Sequence, residues 1–80
     1  MKLPRDLSGS DLAKRLAKFG YSVTRQSGSH IRLTTMIGGE HHVTIPAHST
    51  LKTGTLSGIV GDVAMHLGRD KSVVSKELFE

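Results

Sequence analysis

Histidine is the residue type in this chain best suited to proton transfer or metal binding, and the 80 residues include five histidines and no cysteine. His30 directly follows Gly28-Ser29, so its imidazole leaves a turn in which a glycine lets the backbone approach a ligand. An imidazole so placed can take a proton from a hydroxyl group. An ordinary strand histidine is the more frequent explanation of so short a pattern, so other features of the chain must decide.

Spacing argues against a metal site. His41 and His42 are adjacent in a strand-like stretch, so they point to opposite faces, and Glu40 is the only carboxylate near them in sequence. No two histidines have the i, i+4 spacing that places ligands on one face of a helix. His66 is expected at the surface near a helix end, where a cation suits the helix dipole. We predict no metal and no other cofactor.

A second candidate site lies where the segment Ile45-Pro46-Ala47-His48 leads to Lys52 and a helix start. The unpaired N–H groups of a helix start, together with Lys52, can receive a phosphate. An ordinary loop and helix cap explain the same residues equally well, so both interpretations stay open.

The net charge of +4 and the isoelectric point near 9.9 favour a polyanionic or acidic partner. The chain has too few aromatic residues for the stacking platforms of single-strand RNA-binding proteins, so contact with phosphates is the expected mode. No apolar run reaches the roughly 18 residues of a membrane span, and the first residues do not resemble a signal peptide. We therefore expect no membrane association and a cytoplasmic location.

The elements that position these residues follow from the hydrophobic periodicity. After a leading segment, 1–7, the spacing of Leu12 and Leu16 predicts a first helix over residues 8–19, with Ser8 as N-cap and Gly20 as its left-handed stop. Its basic residues are expected on a solvated face; they are Lys14, Arg15 and Lys18.

A period of two then predicts three strands, over residues 21–26, 30–36 and 40–45. Placing Val23 opposite Ile31 requires a three-residue loop, Gln26-Ser27-Gly28, in the first hairpin. In the second hairpin, the loop Ile37-Gly38-Gly39 places Leu33 opposite Val43. On this register the polar pairs are Thr24 with His30, Ser22 with Arg32, Thr34 with His42, and Arg32 with Thr44.

A second helix is predicted over residues 54–67, with Thr53 or Thr55 as its cap and Gly68 as its stop. Gly58 and Gly61 inside it are expected to allow close packing or an interface. A short third helix is predicted over 71–79. Both longer helices must cover one face of the sheet, which gives a single two-layer α+β domain over residues 1–80, of α-β-β-β-α order, with a three-stranded antiparallel sheet and one open face.

The combination and order of several motifs resemble the HicA (YcfA-like) toxin family, the mRNA interferases of HicAB toxin–antitoxin pairs. These motifs are Ser8-Gly9-Ser10-Asp11-Leu12, Phe19-Gly20-Tyr21, Arg25-Gln26-Ser27-Gly28-Ser29-His30, Ile45-Pro46-Ala47-His48 and Gly54-Thr55-Leu56 with Ile59-Val60. The resemblance implies a fold like that of double-stranded-RNA-binding domains. It also implies that His30, in the Gly-Ser-His motif, is the catalytic histidine.

The resulting hypothesis is a metal-independent endoribonuclease that cleaves mRNA, in which His30 activates the 2′-OH. The expected RNA and phosphate contacts are Arg25, Ser29, Arg32, His48 and Lys52. The resemblance further implies a HicB-like antitoxin partner, expected to cover the basic surface around His30. Two alternatives remain open: a noncatalytic double-stranded-RNA-binding module, and a protein-interaction module that docks a partner on the Gly58 and Gly61 side of the second helix.

Overall fold

The computed structural model describes residues 2–80 as three helices and one antiparallel sheet. In chain order the elements are α1 (Gly9–Leu16), which a 3-10 turn (Ala17–Phe19) continues, β1 (Ser22–Ser27), β2 (His30–Thr35), β3 (His41–Pro46), α2 (Thr53–Leu67) and α3 (Lys71–Phe79). The predicted α+β class and the third helix are confirmed. The strand ends differ by at most one residue from the predicted ranges, and α2 begins one residue early. No helix in the described range is long and apolar enough to cross a bilayer.

The sheet has the order β1-β2-β3 and is buried on one face only. In β2, Ile31, Leu33 and Thr35 are buried, while the residues that alternate with them face outward. The helices pack on the buried face, so the opposite side of the sheet is exposed. This exposed side is called the open face below; the residues of β2 on it are His30, Arg32 and Thr34.

Most of the predicted helix ends are confirmed by the structure. Ser8 caps α1, because its Oγ accepts a hydrogen bond from the Asp11 backbone N–H at 3.0 Å. Gly20 and Gly68 take the predicted left-handed conformation, with φ of 81° and 65°. The predicted threonine cap of α2 is wrong: the helix begins at Thr53 itself, and Lys52 occupies the cap position without a side-chain hydrogen bond.

The register of the first hairpin differs from the prediction. Ser27 lies opposite His30 across a two-residue turn, Gly28-Ser29, in which only Gly28 has a positive φ, of 40°. The predicted three-residue loop and the pairing of Val23 with Ile31 are therefore wrong. The chain keeps Val23 on the helix side by inserting an extra residue within the strand: a bulge between Val23 and Arg25 shifts Val23 opposite Leu33.

The same bulge overturns the predicted polar pairs of the first hairpin. His30 pairs with Ser27 and not with Thr24, and Arg32 pairs with Arg25 and not with Ser22. The second hairpin has the predicted register. Its confirmed pairs are Leu33 with Val43, Arg32 with Thr44, and Thr34 with His42.

Two basic residues, one in α1 and one in the 3-10 turn after it, bind the C-terminal helix α3. Arg15 Nη1 donates to the Leu78 carbonyl at 2.8 Å, and Lys18 Nζ donates to the Glu77 carbonyl at 2.6 Å. Both residues are exposed, as predicted, and the structure adds that they bind the last carbonyls of α3. Of the two helix-interior glycines expected to allow close packing, Gly61 lies against the Lys71 side chain, whereas Gly58 faces open space.

Candidate nucleic-acid interface

His30 is the first residue of β2 and projects from the open face next to the Gly28-Ser29 turn. Its side chain is exposed, and its Nδ1 lies 3.1 Å from Ser29 Oγ. Because the only hydrogen bond to the ring is at Nδ1 among the residues described, Nε2 is accessible from solvent. The geometry therefore presents one imidazole nitrogen to any ligand that lies on the sheet, while the other nitrogen is bonded to a hydroxyl group.

Two arginines share this face with His30. Arg32 is two residues along β2, and Arg25 lies directly opposite it on β1. Without the bulge, Arg25 would point toward the helices with Val23, since side chains two apart in a regular strand share a face. Neither guanidinium has an ion-pair or hydrogen-bond partner within residues 2–80. The structure thus brings three of the predicted site residues together.

The far end of the open face has a different character. His42 is hydrogen-bonded through Nδ1 to Thr34 Oγ1 at 2.7 Å and through Nε2 to Glu40 Oε2 at 2.8 Å. Thr34 Oγ1 is in turn 2.9 Å from Oγ1 of the bulge residue, Thr24. This chain of polar contacts extends to the bulge and occupies both nitrogens of His42. The pairing of Thr34 with His42 was predicted, but the contact with Thr24 was not, because it depends on the bulge.

Ser29 and His48 lie at the same end of the sheet as His30. The Ser29 carbonyl accepts a hydrogen bond from the Ala47 N–H at 2.7 Å, which ties the segment after β3 to the first turn. The His48 carbonyl accepts from the Gly9 N–H at 3.0 Å, and the His48 side chain is exposed. A Cβ on Gly9 would lie 2.2 Å from the Pro46 carbonyl oxygen, so this approach requires a glycine.

Lys52 is the predicted site residue that stands apart. It is exposed at the start of α2, which belongs to the helix layer on the other side of the sheet. No described contact joins it to His30, Arg25 or Arg32.

A separate cluster on the helix side was missed by the sequence analysis. The Tyr21 hydroxyl is 2.7 Å from His41 Nδ1, and His41 Nε2 is 3.3 Å from Asp62 Oδ1. Burial, reinforced by the Asp62 charge, raises the pKa of Tyr21 to about 12, so the phenol stays protonated and donates to the imidazole. No sequence pattern predicted this cluster, because its residues come from three separate parts of the chain.

His66, in the last turn of α2, is half-buried and belongs to this cluster. Its ring stacks on that of His41 with centroids 4.3 Å apart, and its Nε2 donates to the Ile37 carbonyl at 3.0 Å. Together, the side chains of Tyr21, His41, Asp62 and His66 connect α2 with the start of β3 and with the loop before it. Within the described chain, no group of three or more histidine or carboxylate side chains could hold a metal ion.

Comparison with known protein families finds one match that covers most of the chain. The model of the family described as the HicA toxin of bacterial toxin–antitoxin systems matches residues 9–65, more than two thirds of the chain. The match contains the whole sheet, α1 and most of α2, and it ends before α3. No curated protein and no solved structure matches the chain significantly. The match covers well over half of the residues, and the chain therefore belongs to the HicA toxin family of bacterial toxin–antitoxin systems.

Proposed function

We propose that this toxin is a metal-independent endoribonuclease that cleaves mRNA on the open face of its sheet. The observation that supports this most directly is the bulge at Thr24, which places Arg25 opposite Arg32 on the face that carries His30. A base and two unpaired cations on one exposed surface are what a phosphodiester transesterification needs.

In the proposed reaction, His30 Nδ1–H donates to Ser29 Oγ, which leaves Nε2 with a free electron pair. Nε2 removes the proton from the ribose 2′-OH, and the oxygen attacks the adjacent phosphorus. The bond from phosphorus to the 5′-oxygen breaks as the new bond forms. The products are a 2′,3′-cyclic phosphate and a fragment with a 5′-OH, whose oxygen takes a proton from water or from His48.

Arg25 and Arg32 stabilise the negative charge that develops on the phosphorane oxygens. Lys52, at the start of α2, is assigned a different role, contact with a neighbouring phosphate along the strand. Among the residues described, no phenylalanine, tyrosine or tryptophan lies on the open face, so the RNA is held mainly by its backbone and not by stacked bases. A single positioned base contributes roughly 10²- to 10⁴-fold to the rate, enough for a slow nuclease.

The partner in this proposal is a HicB-like antitoxin. Since the open face is basic and has unpaired arginines, an antitoxin with an acidic patch complements it and blocks access to His30. The mRNA substrate places the activity in the cytoplasm.

The reaction class is tested by incubating the purified chain with a defined RNA in excess EDTA. The proposal predicts cleavage with 2′,3′-cyclic phosphate ends, and no cleavage of the matching DNA. An RNA with one 2′-deoxyribose at the main cleavage position should resist cleavage there, because the nucleophile is missing. Cleavage of the deoxy position, or a requirement for a divalent metal, would contradict the proposed mechanism.

A further inference from the structure

A groove of about 380 Å³ runs between α1 and β1, away from the open face. Most of its surface is apolar, with Val23 and Ile31 on the strand side and Ala13 and Ala17 on the helix side. It is also lined by Ser10, Lys14, Tyr21, Ser22 and Gln26.

The groove exists because α1 covers β1 only in part. The bulge turns Val23 toward the helix layer, yet Val23 is 51% exposed, whereas Leu33 opposite it is fully buried. All six residues of β1 are exposed, and the strand pairs only with β2, so one backbone edge has no partner strand among the residues described. An uncovered apolar strip beside a free strand edge is a surface that favours addition of another chain.

The groove carries a positive charge and no negative charge. Lys14 is its only charged lining residue, and within residues 2–80 its ammonium group has no hydrogen-bond or ion-pair partner. The neighbouring basic residues differ, since Arg15 and Lys18 both bind α3 carbonyls. Lys14 therefore remains available to a carboxylate from outside the chain.

We propose that the groove binds an extended segment of the antitoxin, which inserts an apolar side chain over Val23 and pairs a carboxylate with Lys14. The segment lies along the free edge of β1, where backbone hydrogen bonds add to the contact. The proposal rests on the proposed function for the identity of the partner. Because β1 also carries Arg25 on its other side, an antitoxin on the open face can reach the groove around this edge.

The test is calorimetric titration of purified chain variants with the antitoxin, taken as the purified product of the gene beside this one. Val23→Lys and Lys14→Glu should each weaken binding by roughly tenfold or more. The matched controls lie on α3: Val73→Lys changes a valine of similar exposure, 44%, and Lys76→Glu makes the same charge change at an exposed position. Both controls should bind within about twofold of the unmodified chain.

Equal binding by Val23→Lys and the unmodified chain overturns the proposal, as does equal weakening by Lys14→Glu and Lys76→Glu. Sedimentation of the free chain supplies a second check. If it shows a dimer that Val23→Lys dissociates, the occupant is a second copy and the proposed partner is wrong. RNA cleavage by Val23→Lys without antitoxin should equal that of the unmodified chain, so failure of the nuclease proposal shows separately, as absent cleavage in both.

Discussion

Arg25 lies directly opposite Arg32 across β1 and β2, and neither guanidinium has an anionic partner in the described part of the chain. Like charges that face each other across two strands destabilise the pair. An anion bound between them removes that repulsion. The arrangement therefore lowers the stability of the free protein slightly and favours a bound phosphate.

Arg25→Thr should raise the free energy of unfolding and weaken RNA binding. Relief of the repulsion is worth a few tenths of a kcal/mol to about 1 kcal/mol at low salt. Loss of one phosphate contact should reduce the slope of log Kd against log salt by roughly 0.7 for single-stranded RNA. Urea denaturation and fluorescence binding titrations at several salt concentrations measure the two effects.

Lys76→Thr is the control for this prediction, because it removes a positive charge from α3, far along the chain from the open face. It should leave the salt slope unchanged. An equal change of slope in both variants would show that binding follows net charge and not the arginine pair.

The pairing of Arg25 with Arg32 could not be predicted from the sequence. The alternation of Val23 and Ile31 correctly required both side chains on the helix side, but a longer turn and a bulge satisfy that requirement equally well. At the bulge Thr24 contacts Thr34, and such a contact between strands leaves no pattern within either segment. Signals confined to one segment, such as Ser8, Gly20 and Gly68, predicted the helix ends correctly.

Gly9→Ala should destabilise the fold by about 1–3 kcal/mol, because the new methyl group would clash with the Pro46 carbonyl. Gly58→Ala is the matched control within a helix. Nothing lies within 4 Å of the added group, so this substitution should stabilise the protein by up to about 1 kcal/mol. Chemical denaturation of both variants measures the difference, and effects of the same sign would contradict the close approach at Gly9.

Tyr21 should make the protein less stable at alkaline pH. Its pKa is about 12 in the fold and 10 in the unfolded chain, so between those values the unfolded chain loses the proton first. Stability is fully present below pH 10 and falls as the pH rises toward 12, by an amount on the order of 2 kcal/mol.

Tyr21→Phe lacks this titration but keeps the lysines that titrate in the same range. The difference in unfolding free energy between the two proteins should therefore shrink as the pH rises above 10. A difference that stays constant up to pH 12 would show that the phenol titrates normally in the folded protein.

The cluster of Tyr21, His41, Asp62 and His66 could not be predicted for a related reason. Tyr21, His41 and the α2 pair of Asp62 and His66 come from three separate segments of the chain, and only the packing of α2 on the sheet brings them together. The same holds for Arg15 and Lys18, whose partners lie in α3. His30, by contrast, was placed correctly on the open face, because strand alternation and the adjacent turn both act locally.

The most direct test of the proposed site is the single-turnover rate of RNA cleavage by His30→Ala, compared with His42→Ala and the unmodified chain. Both histidines project from the open face, but both nitrogens of His42 are already bonded to Thr34 and Glu40. Loss of the His30 base should slow cleavage by roughly 10²- to 10⁴-fold, while His42→Ala should stay within about threefold of the unmodified rate. Undiminished cleavage by folded His30→Ala would contradict the account.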